Sequence, residues 1–231
     1  MRLRPQPLDT ASFSCIVCTT HNFTLPARRG ARMQYRLNQI ADIQLGYQPR
    51  TKLRHEPGGS HGVIQIKDVG DGGHVEYSNM LRIEPERDPE RYEVNEEDVL
   101  LISRGAHLKA VRVGAPPLPV MAISFFYILR PKHGAVNPGF LFWALNQPPV
   151  QSQIRRQAMG TGIPHIRRKP VENLRIDIPS LETQRLTLRV DELTRRERDL
   201  SDRLVEKRSD LARAVCRQAQ ISPQPTTQPI P

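Results

Sequence analysis

The sequence predicts an α+β fold: one mixed-sheet domain followed by a long α-helix that forms an antiparallel coiled coil. Two observations carry this. From residue 33 to about 180, short apolar segments with strand-like and helix-like spacing interleave irregularly between Gly and Pro turns. That is the pattern of an α+β domain and not of a regular parallel α/β sheet. From residue 181 the character switches, with no Gly or Pro up to residue 218 and apolar residues at heptad spacing.

Residues 1–32 carry no clear periodicity and read either as a disordered extension or as the product of a start codon placed too early. Met33 opens the folded domain with "MQYRLNQIADIQLGYQPR", in which Leu37, Ile40, Ala41 and Ile43 suggest a short helix or turn leading to Gly46. "GVIQIKDV" (62–69) alternates like a strand, and "GDGG" (70–73) reads as a hairpin turn. "DVLLISRG" (98–105) is a second strand stopped by Gly105. "VMAISFFYILR" (120–130) is a third, buried on both faces. "PGFLFWALNQPPVQSQIRRQA" (138–158) has helical spacing that Pro148-Pro149 must break or restart. "NLRIDIP" (173–179) is a last strand ended by proline. The expected domain therefore spans 33–180, the helix 181–218, and a disordered Pro-rich tail 219–231.

The net charge of +10 and a pI near 10.1 point to a polyanionic partner, nucleic acid being the commonest. No apolar run approaches the roughly 20 residues of a membrane span. The N-terminus is too short and polar for a secretory signal, and an odd count of three cysteines fits a reducing cytoplasm. Cys15, Cys18 and His21 lack the second Cys/His pair a structural zinc site needs, so no metal is expected.

Catalytic signatures are missing. There is no phosphate-cradling glycine loop and no dinucleotide fingerprint. "NQPPV" (146–150) faintly suggests the Asn-Pro-Pro-aromatic signature of amino-methyltransferases, but lacks its spacing, its aromatic and an accompanying glycine motif. The 7 histidines are scattered without metal-ligand spacing. No catalytic residue, and no cofactor bound by this chain, is expected.

The cations are better organised. Arg50, Lys52 and Arg54 follow a turn at 46–49, and Lys67 lies in the first strand segment. Arg104, Lys109 and Arg112 surround Gly105; Arg155 and Arg156 precede the Gly-Thr-Gly loop, and His165, Arg167, Arg168 and Lys169 follow it. Cations beside glycine allow close approach to phosphate, while Thr161 and His165 offer base-edge contacts. These clusters read as loops of one DNA-binding face.

In the helix, Leu186, Val190, Leu193, Leu200, Leu204, Leu211 and Ala214 fill a and d positions, with Glu197 and Lys207 as the polar exceptions. An antiparallel pair centred on Asp202 sets Val190 against Ala214, Leu193 against Leu211, Leu200 against Leu204, and Glu197 against Lys207. A parallel pair would oppose like charges. The charges therefore predict an antiparallel homodimer.

Taken in order, "LNQIADIQLGYQPR", "GVIQIKDV", "VNEEDVLLISRG", "NPGFLFWALN" and "MGTGIPHIRRKPVENLRIDIPSLETQ", followed by a long charged helix, resemble one target-recognition half of a type I restriction–modification specificity subunit over roughly 33–217. The resemblance implies sequence-specific binding of double-stranded DNA without catalytic residues. It implies recruitment of a methylation subunit that binds S-adenosylmethionine and methylates adenine, and, with a restriction subunit, cleavage. Such subunits usually carry two recognition domains and two helices; one of each implies a half-subunit that dimerises on a two-part site, palindromic if two identical copies bind. Ser180 is the expected N-cap of the spacer helix, with Thr183 and Gln184 in its first turn, and a helix over 181–218 is about 55 Å long at ~1.5 Å per residue. Competing readings are a coiled-coil adaptor with an incidental basic surface, a diverged nuclease or methyltransferase, and a degenerate orphan fragment.

Overall fold

The computed structural model describes residues 33–221 apart from Arg87, His133 and Thr161, with side chains up to Gln218. The expectations for residues 1–32, including Cys15, Cys18 and His21, and for 222–231 lie outside the described residues. The domain is built on three small sheets. The largest runs β2 (Ala41–Leu45), β8 (Phe126–Pro131), β5 (Val99–Ile102), β6 (Ala110–Arg112), all antiparallel, with Ala41 opposite Pro131 and Val99 opposite both Leu129 and Arg112. A second sheet, β4 (Leu81–Ile83), β3 (His61–Ile64), β7 (Val120–Ala122), mixes an antiparallel and a parallel pair. In the third, β1 (Met33–Arg36) lies antiparallel to β9 (Arg175–Ile178), joining the start of the domain to the segment that leads into the last helix. The mixed α+β architecture followed by a long helix agrees with the sequence reading.

Two strand expectations are corrected. The alternation at 62–69 stops pairing at Ile64, and Ile66–Asp68 forms a 3-10 turn. Its cause is local: Asp68 Oδ2 accepts the Gln65 backbone N–H at 2.9 Å, a side-chain bond that competes with the ladder. The apolar run 120–130 is two strands in two sheets. A turn at Ile123–Phe126 separates β7 from β8, clamped where Tyr47 donates its N–H to Ala122 and accepts that of Ser124. A continuous apolar run cannot reveal such a turn by periodicity.

The helices follow their caps. α1 is the single turn Leu37–Ile40. α2 (Pro138–Leu145) begins with Pro138 in its first position and Asn137 as N-cap, whose side chain accepts the Phe140 N–H at 3.2 Å. It is apolar on nearly every face, because it lies between the large sheet and the final helix. Asn146 pins its end by accepting the Ala110 N–H at 3.0 Å and donating to the Ala110 carbonyl at 3.1 Å, completing the exposed side of β6. α3 (Pro148–Gln157) restarts at the two prolines as expected, and its Gln153 makes the same paired bonds to Arg175 on β9. α4 is Arg168–Glu172. One main core unites these elements; Leu100, Phe126, Ile128, Leu129, Leu141 and Leu145 are fully enclosed in it, each contributing roughly 1.5–3 kcal/mol relative to exposure.

α5 spans Leu181–Ile221, 41 residues or about 61 Å at ~1.5 Å per residue, longer than the 181–218 expected. Ser180 caps it, accepting the Thr183 N–H at 3.3 Å. Gln184 is buried in its first turn and Leu188 packs partly against the core and over Gly139. Beyond residue 195 every described residue of the helix is exposed.

Candidate nucleic-acid interface

The cations do not all sit in loops. Lys67 is in the 3-10 turn, Arg112 ends β6, Arg155 and Arg156 lie on α3, Arg167 caps α4, and Arg168 and Lys169 begin it. Arg155 and Arg156 fall in the helical segment expected over 138–158, whereas the 3-10 turn and α4 escaped the sequence reading because they hold too few residues to show a period. All these side chains are exposed. Thr161 lies outside the described residues.

Two of the clusters come together. His165 forms a bridge with Arg104 and another with Met159. Met159 and His165 exchange N–H···O bonds of 2.8 and 2.9 Å. Gly105 donates to Pro164 at 3.0 Å, and Ile166 to Ser103 at 2.9 Å. The segment after β5 and the loop after α3 thus form one irregular ladder, which places Arg104 next to His165. Gly160 turns the loop at φ +100°, and a Cβ there would meet the Ile163 carbonyl oxygen at 3.0 Å, so the position requires glycine.

Beside this ladder lies a cleft of about 750 Å3. The 69–73 hairpin, the 105–109 segment, the end of α2, Arg155 of α3, and Asp191 and Arg195 of α5 enclose it. "GDGG" is the hairpin turn expected, closed by Gly70 N–H to the His74 carbonyl at 3.0 Å, with Gly73 at φ +71°. Lys109, Arg155 and Arg195 line the cleft together with Asp71 and Asp191, and Arg195 pairs with Asp191 at 2.5 Å, so Lys109 and Arg155 are the cations of its lining that no ion pair engages among the described residues. Arg112 pairs its backbone with Gly73 and flanks His74. His74 is exposed overall, but partial desolvation, then Arg195, then Arg112 push its imidazole below its usual range, and the ring packs obliquely against Phe142, ring centres 5.8 Å apart. Arg195 escaped the sequence reading. The signal was its spacing: Gln184, Leu188, Asp191 and Arg195 recur at helical intervals on the face opposite the heptad seam.

Lys52 and Arg54 line a different cleft, about 400 Å3, with Glu56, Glu84 and Glu86, and Arg50 lies in the adjoining bend. The two clefts share no lining residue. Elsewhere Arg168 pairs with Glu172 at 2.7 Å.

The heptad positions form an open stripe. Leu186, Val190, Leu193, Leu200, Leu204 and Leu211 are 49–66% exposed. Ion pairs of Arg189 with Glu192, Arg203 with Asp199, and Arg213 with Asp210 run along other faces, whereas Glu197 and Lys207 join no ion pair among the described residues.

A mixed α+β domain with a cationic, glycine-turned face, mounted on a long helix with an open apolar seam, defines a binding module. The model of the type I restriction modification DNA specificity domain matches residues 32–192, and the chain belongs to that family. It is 33% identical over 92 residues to the type I restriction enzyme MjaVIII specificity subunit of Methanocaldococcus jannaschii, covering 40% of this chain and 20% of that one. Its fold matches the HsdS subunit from Thermoanaerobacter tengcongensis at a TM-score of 0.59 and 20% identity, over 79% of this chain and 42% of that one. A structure from a study of complex assembly and conformational transition of the type I R-M system matches at a TM-score of 0.60 and 20% identity, over 79% and 43%. The S subunit of the type I restriction-modification system from M. genitalium matches at 0.50 and 14%, over 78% and 43%. The chain spans about two-fifths of the length of these solved chains. Among the described residues no helix is long and apolar enough to cross a membrane.

Proposed function

We propose that this chain is the sequence-reading component of a type I restriction–modification complex, acting in the cytoplasm. The domain binds double-stranded DNA through the face where Arg104, His165, Lys109, Arg112 and Arg155 converge. The observation that carries this is the ladder joining Arg104 to His165, which fuses two basic segments distant in sequence into one surface beside the cleft that Lys109 and Arg155 line. Cations there hold the phosphates, and His165 reaches base edges. Lys52 lines a separate cleft with glutamates and Arg50 adjoins it, so these two contribute less to DNA binding.

The chain supplies position and no catalysis. A methylation subunit carrying S-adenosylmethionine modifies adenine where this chain docks, and a restriction subunit, when it joins, cleaves. The helix α5 pairs antiparallel with that of a second copy. Glu197 of each then meets Lys207 of the other, which accounts for two charges left without intrahelical partners on an otherwise apolar stripe. Two domains so joined read a two-part palindromic site.

The test is binding to duplexes drawn from a randomised pool across a salt series. The proposal predicts enrichment of a two-part sequence and an affinity that falls by orders of magnitude as salt rises. Binding that ignores both sequence and salt would favour the coiled-coil adaptor reading instead.

A further inference from the structure

Around the Arg104–His165 ladder the surface is not purely polar. Ile66, Phe125, Met159 and Ile163 are exposed there, Ile163 the most at 59%. All four ride on segments tied to Ser103–Gly105. Ser103 donates its N–H to the Phe125 carbonyl at 2.8 Å. The side chain of Ile66 reaches toward Gly105, its Cδ1 being 3.8 Å from where a Cβ would stand. Met159 and Ile163 belong to the loop that the ladder holds. Solvated apolar side chains are costly to concentrate on a monomer surface, and such a cluster marks a contact.

We propose that Ile163 is an apolar wedge that enters the base stack of bound duplex DNA, supported by Met159, and that it unstacks one base step and bends the duplex. This rests on the DNA-reading assignment and adds to it a deforming residue. The choice of occupant follows from charge. Lys67, Arg104 and Arg167 border the cluster, are exposed, and join no ion pair among the described residues. An apolar patch ringed by free cations complements a stack of bases between two phosphate backbones better than it complements a protein surface. The geometry fits as well: Ile163, 59% exposed, lies between Met159 and His165, which two backbone bonds hold together. Apolar side chains that enter a base step kink the duplex and repay the unstacking with added contact.

The experiment uses the full chain with a duplex enriched from a randomised pool, end-labelled for energy transfer, and compares wild type with Ile163→Ala and Ile163→Leu. The alanine variant is expected to melt as wild type does, since the side chain is exposed. It should bind about tenfold more weakly with its salt dependence intact, and no longer bring the duplex ends together. A mismatch at the wedged step should restore its affinity, and leucine should retain both binding and bending. Wild-type binding and bending by the alanine variant overturns the wedge while leaving the DNA-reading assignment standing. Unchanged bending combined with lost capture of a co-expressed methylation subunit assigns the patch to that protein and also overturns it. A wild-type chain that selects no duplex overturns wedge and assignment together.

Discussion

Gln184 fastens the long helix α5 to the domain: its Oε1 accepts the backbone N–H of Asn137 at 2.8 Å, and its Nε2 donates to the Pro179 carbonyl at 2.9 Å. Gln184 is 1% exposed. The residue that caps α2 is thereby held by the first turn of α5, the helix that also borders the cleft. Replacing Gln184 with Ala leaves the Asn137 N–H buried without its acceptor, and the expected loss of stability is about 1–3 kcal/mol. Chemical denaturation of the variant checks this; an unchanged midpoint would mean that water replaces the amide without loss.

Gly160→Ala forces a left-handed backbone on alanine and pushes its Cβ against the Ile163 carbonyl oxygen. The expected cost is about 1–3 kcal/mol, concentrated in the 159–165 loop. Hydrogen exchange at the Met159 and His165 amides reports it, and faster exchange confined to those amides and their neighbours is the expected result.

Lys109→Ala combined with Arg155→Ala removes two cations from the larger cleft. The slope of log affinity against log salt should fall by about one for each phosphate no longer neutralised. Lys52→Ala, beside Glu56, Glu84 and Glu86, should change the slope less. Equal effects would place both clefts against the DNA backbone.

His74 is held below its ordinary imidazole value of 6.5, first by partial desolvation of an otherwise exposed ring and then by Arg195 and Arg112. The folded protein therefore binds fewer protons here than the unfolded chain. The stability this contributes is complete above pH 6.5 and is lost as pH falls toward the lowered folded value. Melting temperatures at pH 7.5 and 5.5 should differ less in His74→Gln than in wild type, since glutamine does not titrate. A difference of the same size in both would exclude His74 as a source.

The parts of this fold legible in the sequence were those with long or strongly punctuated patterns. Pro148-Pro149 marked the restart of a helix, Ser180 the start of another, and "GDGG" a hairpin. The strands at 99–102 and 175–178 fell inside the segments expected. What stayed hidden depended on contacts between distant segments. The run 120–130 split because Tyr47 clamps Ser124, a bond across many residues that leaves no local trace. The candidate surface was half legible. Basic residues near glycine were evident, but that Arg104 meets His165 while Lys52 faces glutamates is set by tertiary pairing. Arg195 is marked only by its helical spacing from Gln184, Leu188 and Asp191, a weak signal on a helix with many arginines whose apolar seam lies on the other face.

Charge reversal tests the helix pairing. Glu197→Lys should weaken a homodimer about tenfold, since it opposes two lysines at both ends of the seam, and adding Lys207→Glu should restore it. Sedimentation velocity reads the association directly, and a double variant as weak as the single one would exclude the register centred on Asp202.

The most direct test of the proposed site selection is the map of methylated adenines in DNA from cells co-expressing the chain with a type I methylation subunit. Modification is expected to be confined to one two-part palindromic sequence, abolished when this chain is omitted and weakened by Arg104→Ala. The same map with and without the chain would contradict it.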